Sequence, residues 1–183
     1  FISIADPMAK IRAACLRGAR VFYINPRRIE SASPKTGEVI QILPDTDFYL
    51  MAALLHEIDA LGRFNQAVLR DHGNHVDELR EVIAPYSADS VADVVGLSAG
   101  DIRALADTFS AAKRASVHMS TGVNMGRQGT LCYWLLQMLS FVTGNLDREG
   151  GNFYSEGFYP AAKAGRARPD DSLFFSTRYG ELR

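Results

Sequence analysis

Cysteine is scarce in this chain. Cys15 and Cys132 stand alone among 183 residues, and without a C-x-x-C pair neither a zinc site nor an iron–sulfur cluster can be built from it. Each lies in an apolar helical pattern, which reads as a buried thiol acting as a small hydrophobe. An excess of charge is lacking too. At a net −1 there is no electrostatic case for nucleic acid or an anionic membrane surface. The longest nearly apolar run, Leu131 to Val142, is broken by Gln137 and Ser140 and falls short of the ~20 residues that span a bilayer. No signal peptide, internal repeat or low-complexity tract is evident. Also absent are G-x-G-x-x-G, the Walker Lys-Ser/Thr and the G-x-S-x-G elbow. No residue set reads as a catalytic nucleophile, an acid–base pair or a metal site.

What is present is globular in balance, with 47% hydrophobic and 22% charged residues. The chain begins F-I-S-I-A-D-P without Met and stops at E-L-R, which suggests a piece of a longer protein.

Along the chain, Asp6-Pro7 opens a helix with Met8, Ile11, Ala14 and Cys15 at helical spacing, closed by Gly18. Arg20 to Asn25 reads as a buried strand ended by Pro26, and Glu38 to Leu43 as a second. Pro44-Asp45-Thr46-Asp47 opens the next helix, striped by Met51, Leu54, Leu55, Ile58 and Leu61 and stopped by Gly62. Shorter helices follow around Asn65–Arg70, Val76–Ile83 and Ser87–Val95. Ser98-Ala-Gly-Asp101 resembles a capping box ahead of Ile102, Leu105, Ala106 and Phe109. Ala115 to Ser120 is expected as a third strand. The helix Thr130–Thr143, apolar nearly all round, is expected to be buried on most faces. Strands alternating with helices imply an α/β fold: a three-layer αβα, Rossmann-like arrangement with a parallel or mixed sheet and a helical insertion. Residues 1–157 form that domain, and 158–183 an irregular segment.

Three places offer chemistry. Ligands of open α/β sheets bind at the carboxyl ends of strands, where Asn25, Pro26 and Arg27 lie. Asp45-Thr46-Asp47 would cap a helix; as function, its carboxylates could accept the paired N–H donors of a guanine edge. The loop Thr121-Gly122-Val123-Asn124-Met125-Gly126-Arg127-Gln128-Gly129 joins strand to helix, where backbone N–H groups suit an anion. Of the histidines, His72 and His75 read as a solvated pair and His118 as a satisfied buried side chain.

Taken in order, these segments resemble the molybdopterin oxidoreductase family, the group of dimethyl sulfoxide reductase, formate dehydrogenase and nitrate reductase. The resemblance runs from about Asp6 to Gly151. Arg20 to Arg28 resembles the family's strand ending in D-P-R, and Ile42 to Asp47 its P-G-T-D turn. Val82 to Ser87 leading to Asp101–Ala106 resembles its helical middle. Thr121 to Asn124, then Thr143 to Leu146 with Gly150-Gly151, complete the order.

The resemblance implies a central cofactor-binding segment of an enzyme that holds molybdenum or tungsten between two molybdopterin guanine dinucleotides for two-electron redox or oxygen-atom transfer. By matching positions, Asn25, Pro26 and Arg27 would lie near one guanosine. Asp47, with Asp45 and Thr46 in its turn, would meet the guanine, and Thr121, Gly122, Val123 and Asn124 would line the cofactor path. The catalytic metal ligand and a 4Fe-4S cluster would lie in the part before this chain, so the piece alone would not turn over. Partners would be the parent's remaining domains and an iron–sulfur electron-transfer subunit, in a bacterial cytoplasm or periplasm. The alternative is a cofactor-free structural subunit of the same fold, as in the large subunit of NADH dehydrogenase. Two positions depart from the pattern: Asn25 where Asp is common, and Asp45 where Gly is usual. Asn152 to Gly157 also replaces the V-R-G-Q-N-like run of formate dehydrogenases, which argues against formate as substrate.

Overall fold

The computed structural model describes residues 5–153, 175–177 and 180–182. Pro7–Leu16 (α1) begins as expected, with the Asp6 carboxylate accepting from the Ala9 N–H at 3.2 Å. Phe22–Asn25 (β1) and Glu38–Gln41 (β2) pair in parallel, with Asn25 opposite Gln41. Helices then run as Asp47–Ala60 (α2), Gln66–His72 (α3), Val76–Ile83 (α4), Ala88–Val95 (α5), Ala99–Ala111 (α6), Thr121–Asn124 (α7) and Gly129–Val142 (α8).

The core forms around α2, which packs against α4, α5, α6 and α8. Nine of its fourteen residues are buried, so this helix has almost no outer face. Its apolar stripe explains most of this, and Glu57 is the exception. That carboxylate, 9% exposed, accepts from the Ala88 N–H at 2.7 Å and pairs with Arg103 at 3.3 Å. A side chain of α2 thus satisfies one of the orphan donors at the start of α5. Ser98 caps α6 by accepting from the Asp101 N–H at 3.0 Å. Its hydroxyl donates to the Asp101 carboxylate at 2.6 Å, which closes the Asp version of the capping box.

Phe22 and Ile40 pack one face of the β1–β2 pair on this core. On the other face, Cys15 of α1 lies beside Tyr23, whose hydroxyl donates to the Thr36 carbonyl. The order is helix, sheet, helices, the α/β class expected, though the sheet is small. Strand β1 is only half-buried, with Ile24 37% exposed, and α1 on the other face of the sheet itself buries no residue. Cys15 is accordingly half-buried rather than buried, whereas Cys132 is buried as expected.

Two further expectations differ. Ala115 to Ser120 joins no strand among the described residues. The Asn145 amide oxygen takes the Ala115 N–H at 3.1 Å. The Asn152 amide takes the Val117 N–H at 2.9 Å and gives its own N–H to the Val117 carbonyl at 2.7 Å. Two side chains do here what a neighbouring strand would do. Helix α8 is not covered all round, since Leu131, Tyr133 and Trp134 are 50%, 51% and 38% exposed. Its core face carries Cys132, Leu135, Leu136, Leu139 and Val142.

The residues Phe153–Arg183 form a separate unit. Within the stretch 158–183, expected to be irregular, Phe175–Thr177 (β3) and Gly180–Leu182 (β4) pair antiparallel. The rest of that stretch, and Tyr154 to Gly157 of the run set against formate dehydrogenases, lie outside the described residues.

Candidate functional site

The first two chemistry-bearing segments meet at the carboxyl ends of β1 and β2. The Asn25 carbonyl accepts from the Ile42 N–H at 3.3 Å, and the Asp45-Thr46-Asp47 turn follows three residues on. The Leu43 N–H, donating to the Val95 carbonyl at 2.8 Å, anchors that exit to the end of α5. In an open α/β fold this edge is where ligands bind.

At β1 the Asn25 side chain folds back. Its oxygen accepts from the Arg27 N–H at 3.0 Å, an Asx turn that leads the chain out past Pro26. One lone pair of that oxygen is thereby used, and the amide NH2 makes no hydrogen bond among the described residues. The Pro26 carbonyl takes a hydrogen bond from Gln41 at 3.0 Å, while the Pro26 ring and Arg27 are exposed.

After β2 the side-chain capping expected of the Pro44-Asp45-Thr46-Asp47 turn is replaced by another arrangement. Thr46 is the N-cap residue of α2, and no side chain makes a cap bond there. Its buried hydroxyl donates to the Leu43 carbonyl at 2.6 Å and closes the turn. Asp45, in the left-handed region at φ 61°, points across to the loop before α8. There it accepts from the Arg127 N–H at 3.4 Å, with the Arg127 Nε 3.6 Å from its other oxygen. Gly126 permits the approach, because a Cβ there would lie 2.8 Å from the Asp45 Oδ1. The turn after β2 and the glycine-rich loop, 82 residues apart, are thereby brought together.

Asp47 opens α2 half-buried. Desolvation raises its carboxyl above the usual carboxylate range, the backbone N–H of Asp47 works the other way, and the Asp45 charge adds to the rise. Burial, with Asp47 and then Asp45 nearby, pushes the Cys132 thiol up to about 11. That makes it a poor nucleophile and metal ligand at neutral pH. Among the described residues no group of three or more His, Cys, Asp or Glu side chains could hold a metal ion.

The third segment is less open than a phosphate-cradling loop. Thr121 to Asn124 form one helical turn, in which Thr121, Gly122 and Asn124 are exposed. Val123 turns its side chain to the core, so that residue offers a ligand only its backbone. Gly129 is required where α8 starts, since a Cβ would lie 2.4 Å from the Asn124 carbonyl oxygen. His118, expected to be buried, is exposed and makes no hydrogen bond among the described residues, because the segment carrying it joins no sheet. His72 and His75 are exposed as expected. Missed by sequence reasoning was the joint role of Asn145 and Asn152 in holding 115–117. Its one signal was an Asn at each end of the second glycine-rich motif.

No family model matches the chain. It is 29% identical over 131 residues to formate dehydrogenase H of Escherichia coli (strain K12), covering 72% of this chain and 18% of the relative. It is 27% identical over 165 residues to the dimethyl sulfoxide/trimethylamine N-oxide reductase of Cereibacter sphaeroides, covering 84% and 20%. The solved acetylene hydratase from Pelobacter acetylenicus shares the fold at a TM-score of 0.72 and 22% identity, over 78% of this chain and 19% of that one. The chain thus spans about a fifth of the length of the curated relatives it matches. These relatives are molybdopterin oxidoreductase family members, and over most of its length the chain is their homologue.

Proposed function

We propose that this chain is the part of a molybdenum- or tungsten-dependent oxidoreductase that grips one guanosine end of a molybdopterin guanine dinucleotide. The observation that carries the reading is the meeting of the β1 and β2 carboxyl ends with the Asp45–Asp47 turn, with the loop 125–128 drawn against that turn. The donor set suits such a group. Asp47 presents an acceptor-only carboxylate to paired N–H donors once ionised. Asn25, its oxygen accepting from the Arg27 N–H, offers NH2 donors to ribose oxygens. Arg27 and Arg127 are exposed cations available to an anionic ligand, and Gly126 leaves room for the Asp45 carboxylate beside the loop.

When bound, the cofactor supplies two-electron redox chemistry at its metal. The residues here bind and orient it. The turn closed by Thr46 fixes the Asp47 carboxylate, the Asx turn at Asn25 sets the opposite side, and the first turn of α2 excludes water from half of Asp47. The metal ligand, a 4Fe-4S cluster and the remaining domains belong to the rest of the parent protein in this reading, as does an iron–sulfur partner subunit. The relatives' names divide among a dehydrogenase, a reductase and a hydratase, so the homology assigns no substrate.

Metal and pterin analysis of the intact parent protein, purified anaerobically, tests the proposal. About one molybdenum or tungsten per chain with two guanine nucleotides released is the expected result. Asp47→Ala should lower nucleotide occupancy in the same preparation. Absence of metal and pterin would replace this reading with a cofactor-free structural subunit.

A further inference from the structure

Asp45 makes no cap hydrogen bond to the helix it precedes. It sits at φ 61°, a conformation uncommon for a residue with a side chain, and its carboxylate leaves the cap position to reach the Arg127 backbone N–H and guanidinium. The Arg127 side chain is 89% exposed and has no other ion-pair partner among the described residues. A loop N–H plus a guanidinium, with Gly126 clearing the space, is the donor set that a phosphate oxygen would use. Here one of the chain's own carboxylates already takes it, two residues from Asp47.

We infer that Asp45 is an internal competitor for the anionic part of the ligand: it holds Arg127 in the free protein, and a guanine nucleotide diphosphate has to take Arg127 from it. This rests on the nucleotide-binding reading above and adds a residue that sets affinity for the charged portion alone. Two effects act in the same direction. Binding breaks the Asp45–Arg127 pair, and the freed carboxylate then faces the diphosphate with like charge. A neutral guanosine, read through Asp47, meets neither effect. Asp45 therefore lowers affinity selectively for the phosphorylated ligand.

The test is an NMR titration of the 183-residue chain with guanosine and with guanosine diphosphate at low salt. Asp45→Gly suits the left-handed turn and relieves it, so a folding defect is not a competing explanation. Asp45→Asn tolerates the same backbone and removes only the charge. In both variants the affinity for guanosine diphosphate should rise about two- to fivefold relative to that for guanosine, the worth of one exposed ion pair, which cancels any change that loss of the Asp45 charge makes through Asp47. The Arg127 Nε–H resonance should move at correspondingly lower nucleotide concentration, and adding Arg127→Ala to Asp45→Gly should abolish the gain. High salt should shrink it. Weaker or unchanged diphosphate binding in Asp45→Gly overturns the inference, as does an equal gain for guanosine. Failure of the broader reading has a different signature. Guanosine binding would then be indifferent to Asp47→Asn, or neither probe would bind any variant, and both ideas fall. If the inference alone fails, guanosine binding still depends on Asp47 but the diphosphate ignores Asp45.

Discussion

Asp47 sits in the first turn of α2, where the helix dipole favours a charged carboxylate, yet burial raises it above the ordinary range. The consequence for stability has a definite sign. A carboxyl raised in the fold contributes fully when protonated, below its unfolded value of about 3.9, and that contribution is lost as pH climbs through the folded value. Asp47→Asn removes the ionisation. The variant should therefore gain on the parent chain as pH rises from about 4 towards neutrality. Urea midpoints at pH 4 and pH 7 check this, and a constant difference between the two would contradict it. The Asp45–Asp47 turn was legible as a helix start, because acids after a strand suit the positive end of a helix, while its reading as a ligand site came from the family resemblance. What Asp45 does was not legible. Its partner Arg127 lies 82 residues away, and local pattern carries no information about that meeting.

At the scale of elements, the helices were readable from period and caps. Ser87 and Ser98 accept the N–H groups of Ser90 and Asp101 where the sequence places them, and Gly96 ends α5 at φ 78°. The segment 115–120 was not readable. Its Val117 and Met119 alternate like a strand, but a strand requires a neighbour, and the neighbour is a pair of asparagine side chains. Asn152 carries the larger share, since its amide makes both bonds to Val117. Asn152→Ala should leave that N–H and carbonyl unpartnered at a cost of about 1–3 kcal/mol. Hydrogen exchange at the Val117 amide should accelerate by more than at the α2 amides. Equal acceleration everywhere would mean that the variant acts on global stability instead. The glycines of the same motif are structural: a Cβ at Gly151 would stand 2.1 Å from the Asn145 carbonyl oxygen.

For the whole molecule, cohesion runs through α2. Leu55 is fully buried in the cluster that joins this helix to its neighbours, and Leu55→Ala should cost about 2–5 kcal/mol in chemical denaturation. A loss below about 1 kcal/mol would show that the helices do not depend on a common centre. The layered α/β order was legible at this scale, but the thinness of the layers was not. Composition reports how much apolar surface a chain has to bury, and Leu131, Tyr133 and Trp134 show that this chain leaves part of it uncovered.

The lack of any buried residue in α1, above a two-stranded sheet, bears on how the site would behave mechanically. Asn25 and Arg27 ride on that lightly held layer, whereas Asp47 and the loop before α8 are fixed to the helical mass. Few buried contacts mean a low free energy of local opening, so the layer can loosen while the rest stays folded. A ligand spanning the two would act as a rivet. It would stiffen the layer by its own binding energy, and thermal loosening of α1 and β1 would track how fully the site is filled.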